Sequence, residues 1–170
     1  MTMVTDASEH KELVTACLMA DHSARERFYA FERAARAVFE GDEPPPNLPL
    51  EACSLLIEAA IVTVSPSSVP TWIVRDRHWD GTEATGSCTL TPTGTFVVGL
   101  PPLRRRPWTV MHEVAHMLTW EDGPLGHGPT FASACINLWV RLCGWEPARL
   151  RALAVEHGVI RGGTHDSRTT

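Results

Sequence analysis

Lysine is almost missing from this chain. Lys11 is the single lysine, arginine supplies the other positive charges, and the net charge is −5. A protein with that balance lacks the broad positive field that attracts a phosphate backbone. Nucleic acid is therefore not an expected partner.

The chain also lacks paired cysteines. It has five, an odd number, and no two stand in the CxxC spacing of a zinc ribbon: Cys17, Cys53, Cys88, Cys135 and Cys143. Cysteines without such a pattern are usually small buried residues in a reducing compartment. A disulfide framework is not expected.

Long apolar runs are missing as well. The longest, residues 50–64, is interrupted by Glu51 and Glu58 and is too short to cross a bilayer. Residues 1–20 lack the charged start, apolar run and cleavage site of a secretory signal. We therefore expect a cytoplasmic protein with no membrane partner, formed by one domain over residues 21–160. Flexible ends are expected over 1–20 and 161–170.

Four helices are predicted outside the central motif. Ser23-x-x-Glu26 has the pattern of a capping box and would open a helix that runs to about residue 40. Apolar periodicity predicts further helices over 50–61, 130–143 and 147–157. Gly144 follows the predicted helix over 130–143, and Pro147 opens the last helix, which Gly158 follows.

Three strands are predicted between these helices. Residues 71–77 are rich in β-formers, 84–90 alternate in polarity, and 95–100 return after a turn at 91–94. No helix-length crossover separates them, which favours an antiparallel meander. The expected class is α+β, with helices packed on a small antiparallel three-stranded sheet.

Three consecutive arginines, Arg104, Arg105 and Arg106, precede the central motif. They could anchor a substrate carboxylate or phosphate. A run of three charges is weak evidence for that, and a solvated connector is the preferred interpretation.

The stretch with the most candidate functional residues is 108–131, which contains His112-Glu113-x-x-His116. On a helix, residues four apart share a face, so both imidazoles can bind one metal ion. Glu113 would then take a proton from a water molecule activated by the metal. An apolar stripe of Val110, Val114, Met117 and Leu118 predicts that the opposite face is buried and that the histidines face a cleft.

A third ligand is needed to complete a catalytic zinc site. His127, which follows a glycine-containing return after the helix, is the preferred candidate. Asp122 is the alternative, because metzincins place their third ligand ten residues after the first. That geometry needs a glycine three residues after the second histidine, where this chain has Thr119. Asp122 could instead orient a ligand imidazole.

The HEVAH motif, the glycine-rich return with His127-Gly-Pro-x-Phe131 and the apolar helix after it resemble SprT-like and related minimal zinc metallopeptidases. They are more similar still to small HExxH metallohydrolases of high-GC bacteria and their phages. The similarity spans residues 21–158 and includes a Tyr-x-x-Glu element, Tyr29 and Glu32. SprT-like proteins often carry a zinc ribbon or DNA-binding tail after the core, and this chain has neither.

The resemblance implies a zincin-like fold, Zn²⁺ bound by His112, His116 and His127, and Glu113 as the catalytic acid and base. The expected function is hydrolysis of a peptide or amide bond in a peptide or protein substrate. We expect an extended substrate to add to an edge of the sheet, for which strand 95–100 is a guess.

The donor that stabilises the oxyanion is not fixed by the motif. Tyr29, His78 and His157 are candidates for this or for a supporting contact. A catalytically silent zinc-stabilised binding or regulatory protein is the alternative function.

Overall fold

The computed structural model describes residues 7–41, 45–65, 69–77, 86–122 and 126–161, and of residues 7–21 the backbone alone. In these ranges the chain is α+β, with five α-helices and a small mixed sheet. The helices are α1 (Ala7–Phe39), α2 (Leu50–Val64), α3 (Pro107–Leu118), α4 (Pro129–Leu138) and α5 (Pro147–Glu156). The strands are β1 (Trp72–Asp76), β2 (Ser87–Leu90) and β3 (Phe96–Leu100).

Helix α1 is much longer than predicted, because the helix start expected at Ser23 is wrong. The helix begins at Ala7 and passes through Ser23 without a break. The Ser23 hydroxyl accepts a hydrogen bond from Arg27, one turn further along, instead of capping an end. Residues 7–22 contain neither glycine nor proline, so nothing in that segment stops a helix before Ser23.

The sheet is mixed, and the predicted antiparallel meander is wrong. The strand order is β1-β3-β2, with β1 parallel to β3 and β2 antiparallel to it. Strand β3 is the most buried of the three, so it takes the centre and leaves the more exposed β1 and β2 at the edges. The predicted turn does form, with Gly94 at φ +78° and the Thr91 hydroxyl accepting from the Thr95 amide.

Arg105 is neither a solvated residue nor an anion anchor. It is buried, forms an ion pair with Asp76 at the end of β1, and donates from Nε to the Leu100 carbonyl at 3.4 Å. Its own carbonyl accepts from the Leu48 amide at 2.7 Å. Arg105 therefore joins the sheet to the segment before α2, whereas Arg104 is exposed as expected.

One core runs between the helices and the sheet. Helix α3 packs against α2, α4 and β2, and α1 packs against α5. Phe28, Phe31 and Ala35 form the buried stripe of α1. Cys53, Cys88 and Cys135 are buried and unpaired, as predicted, and Cys143 is half-buried; the side chain of Cys17 lies outside the described residues.

The predicted helix over 130–143 is α4 followed by a π-helical segment, Trp139–Cys143. The wider turn changes the register, so that Trp139 is fully buried while Leu142 is only half-buried. The segment ends at Gly144, whose φ is +68°. Glu146 then caps α5 by accepting from the amides of Ala148 and Arg149.

We expect Gly144→Ala to lower the free energy of unfolding by about 1–2 kcal/mol, because an L-residue with a Cβ is strained at that φ. A Cβ there would meet nothing within 4 Å, so the loss comes from the backbone alone. Gly144→Asn should lose less, since asparagine tolerates the left-handed region. Urea unfolding measures both; equal losses for alanine and asparagine would contradict the backbone explanation.

Candidate metal centre

Helix α3 carries His112, Glu113 and His116 into the interior of the protein. Pro107 occupies its first turn, where the missing amide hydrogen costs nothing. His112 and Glu113 are each 3% exposed, and His116 is half-buried. The histidine face of α3 is more deeply buried than expected: His112 and Glu113 are covered, and His116 stays partly exposed.

A third imidazole comes from the chain between α3 and α4. His127 is buried, and its Nε2 lies 3.4 Å from Nε2 of His112. Possible ligand atoms of His112, His116 and His127 all lie within 4.8 Å of one another. The three predicted histidines are thus close enough to bind one metal ion.

The nitrogen separation fits a small tetrahedral ion. Two ligand nitrogens that bind such an ion at about 2.0–2.1 Å lie about 3.3–3.4 Å apart. The Nε2 atoms of His112 and His127 are 3.4 Å apart. The other ring nitrogen of His112, Nδ1, points away from this pair and donates to Glu32 Oε1 at 3.4 Å.

Aromatic rings from two helices enclose the three imidazoles. The Phe131 ring of α4 has its centroid 4.4–5.1 Å from each of them. From α1, Phe28 lies 5.6 Å from both His112 and His127. Tyr29 stacks on His112 with an interplanar angle of 2° and a centroid distance of 5.8 Å. These contacts leave the rings little freedom to turn.

The surroundings keep His116 neutral. Burial, together with the neighbouring imidazoles of His112 and His127, lowers the pKa of His116 to about 2. Burial also acts to lower the pKa of His112, but the Glu32 carboxylate and its hydrogen bond outweigh that effect and raise it. A neutral imidazole has the lone pair that a metal needs, so His116 is ready to bind one at any ordinary pH.

Glu113 lies on the side of α3 that faces the sheet. A Cβ built on Gly86 would come within 2.5 Å of Glu113 Oε1, so the carboxylate is packed against the backbone that leads into β2. Burial raises the pKa of Glu113 to about 7, although His112 opposes the shift. Nothing in the sequence pattern indicated that Gly86 would make this close approach.

Asp122, the alternative third ligand, lies apart from the three imidazoles. It is exposed, in a 3₁₀ turn over Trp120–Asp122, and does not belong to the group of possible metal ligands. With Thr119, Gly128 and Phe131 it helps to line a depression of about 300 Å³ beside His127. Asp122 is therefore placed to contact a ligand that enters there, not to complete the histidine group.

The other candidate residues differ in how close they lie to the three imidazoles. Tyr29 is beside the site, with its ring 5.3 Å from that of His127. His157 ends α5 and does not belong to the rings that surround the three imidazoles in the described part of the chain. His78 lies outside the described residues.

The contact between Glu32 and His112 joins residues 80 positions apart and was not predicted. The sequence indicates Glu32 only as part of the Tyr-x-x-Glu element, and this residue stands directly after the buried stripe residue Phe31. A charged residue that is buried with an apolar stripe usually has a specific partner.

Comparison with family profiles, with curated proteins and with solved structures finds no match to this chain. In the described ranges, no helix is both long and apolar enough to cross a membrane.

If His127 is the third ligand, His127→Ala should lose the bound metal, and Asp122→Ala should keep it. The reason is that three ligands are needed to hold the ion tightly and Asp122 is not within reach of the other two. The measurement is metal content per chain after dialysis, beside the wild type. Loss of metal from Asp122→Ala with retention in His127→Ala would contradict this ligand set.

Proposed function

We propose that this chain is a zinc-dependent hydrolase that cleaves a peptide or other amide bond. The observation that carries the proposal is the convergence of His112, His116 and His127. Glu113, which follows His112 in the sequence, is buried as well. The sequence resemblance to minimal zinc metallopeptidases points in the same direction.

Zinc is the metal whose chemistry fits this set of donors best. Three imidazole nitrogens, with no further possible ligand grouped with them among the described residues, leave the fourth tetrahedral position for water or substrate. A bound zinc ion would lower the pKa of its water toward about 7 and polarise the substrate carbonyl.

Glu113 is the residue assigned to proton transfer. Its carboxylate accepts the proton of the attacking water and delivers it to the leaving nitrogen. The close packing against Gly86 supports this role, because it restricts the carboxylate to one position beside the start of β2.

Strand β2 is the best place for an extended substrate. The guess that strand 95–100 would receive it is wrong, because β3 is paired on both sides, by β1 and by β2. In the described part of the chain β2 pairs only with β3, and it packs against α3 next to Glu113. A peptide that added to the other edge of β2 would pass close to the proposed catalytic carboxylate.

Glu113→Gln should reduce peptide hydrolysis to background while metal content stays at the wild-type level, since the amide cannot accept the proton. Glu121→Gln is the matched control: it makes the same chemical change on an exposed residue and should leave both values unchanged. Hydrolysis is followed with a library of fluorogenic peptides.

Full activity of Glu113→Gln would remove that residue from the mechanism. A wild type that holds zinc but cleaves no peptide would instead favour the silent, zinc-stabilised binding protein.

Tyr29 is the best-placed donor for the oxyanion. Its ring lies against His112 and His127, and burial raises the pKa of its hydroxyl, despite an opposing effect of Arg25. The hydroxyl thus remains a hydrogen-bond donor near neutral pH.

We expect Tyr29→Phe to lower kcat by about 10²–10³-fold, because one oxyanion donor is lost, with zinc content and KM nearly unchanged. Steady-state kinetics on the best peptide of the library measures this. A variant with wild-type kcat would show that the oxyanion is stabilised elsewhere.

A further inference from the structure

Glu32 is a buried carboxylate in the middle of α1 that the proposed mechanism does not use. The residue is 5% exposed, and its side chain faces α3. Among the described residues, the hydrogen bond that this carboxylate accepts comes from His112 Nδ1, at 3.4 Å. One helix thus reaches across the core to touch a candidate metal ligand on another.

That hydrogen bond determines which nitrogen of His112 is left for a metal. A carboxylate only accepts, so Nδ1 carries a hydrogen, and in the neutral form of His112, which is the form that binds a metal, the lone pair sits on Nε2. Nε2 is the atom that lies 3.4 Å from His127 Nε2. Glu32 therefore holds His112 in the tautomer, and in the ring orientation, that aims its lone pair at the centre of the three imidazoles.

Protein stability alone does not account for a carboxylate in this position. Burial of a charged group costs several kcal/mol unless good partners compensate for it. One 3.4 Å hydrogen bond from an imidazole is a weak partner, and the Phe28 and Phe131 rings that pack against that imidazole are apolar. A methionine would fill the same space without that cost. The carboxylate becomes favourable once the imidazole is polarised by a cation on its other nitrogen.

We propose that Glu32 is a positioning residue that orients His112 and strengthens the binding of the metal. The inference rests on the proposed zinc site. It goes further because it assigns part of the metal affinity to α1, none of whose described side chains belongs to the group of possible ligands. Tyr29, also on α1, stacks on the same ring with an interplanar angle of 2°, so two side chains of α1 contact the His112 imidazole.

Two substitutions separate positioning from simple space filling. Glu32→Met keeps the approximate volume and removes the acceptor, and Glu32→Gln keeps an acceptor oxygen and removes the charge. We expect zinc affinity to fall by about 10–100-fold in Glu32→Met and by about tenfold in Glu32→Gln. Zinc affinity is measured at fixed pH by competition with a chromophoric chelator.

The unfolding midpoint of the metal-free proteins tests the space-filling explanation. It should be unchanged or higher in Glu32→Met, because a buried carboxylate has been removed. Glu40→Gln is the matched control, directly after the end of the same helix: Glu40 pairs with Arg36 through a 3.3 Å contact, and its substitution should leave zinc affinity at the wild-type value.

The inference is overturned if folded Glu32→Met binds zinc as tightly as the wild type. Should Glu32→Met not fold, Glu32→Gln decides alone, and an affinity equal to that of the wild type overturns the inference. Failure of the hydrolase proposal has a different signature, in which the wild type binds zinc without cleaving peptides while the Glu32 variants still lose affinity. A wild type that binds no zinc would remove the basis of both.

Discussion

The packing of α1 over the histidine face of α3 is the contact on which the rest of this structure depends. Helix α3 is buried on both sides, and the residues that close its polar side are Phe28, Tyr29 and Glu32. Without that cover, His112 and His116 would be two polar residues on a solvated helix. With it, they lie in an apolar enclosure, where burial favours the neutral form of His116 and the Glu32 carboxylate offsets that effect at His112.

This enclosure sets up an imbalance that a cation would correct. Three imidazoles and two carboxylates, those of Glu32 and Glu113, are withdrawn from water within one small region. Groups of this kind are costly to bury unless they are hydrogen-bonded or paired with charge. A divalent cation supplies both bonds to the nitrogens and charge to offset the carboxylates. The same argument explains why the pKa of His116 falls and that of Glu113 rises, since burial is the largest effect on both.

The candidate ligands could be predicted from the sequence because they depend on local geometry. The four-residue spacing puts His112 and His116 on one face, and the residues around His127 allow a short return before α4. Helix ends at Gly144 and Glu146 were predictable for the same reason, since capping needs only neighbouring residues.

What could not be predicted depends on residues far apart in the chain. The sheet order follows from the burial of β3, and no local pattern states which of three short strands takes the centre. The contact of Glu32 with His112 joins α1 to α3, and that of Gly86 with Glu113 joins the start of β2 to α3. The length of α1 was missed because a Ser-x-x-Glu pattern also occurs inside helices, where the serine hydroxyl bonds to a neighbouring turn.

The central claim is that three imidazoles converge on one divalent cation. Its most direct test is anomalous diffraction at the zinc absorption edge from crystals of the protein grown with zinc. The account predicts one strong peak about 2.0–2.1 Å from a ring nitrogen of each of His112, His116 and His127. Zinc bound elsewhere on the protein, with no peak between these three rings, would contradict it.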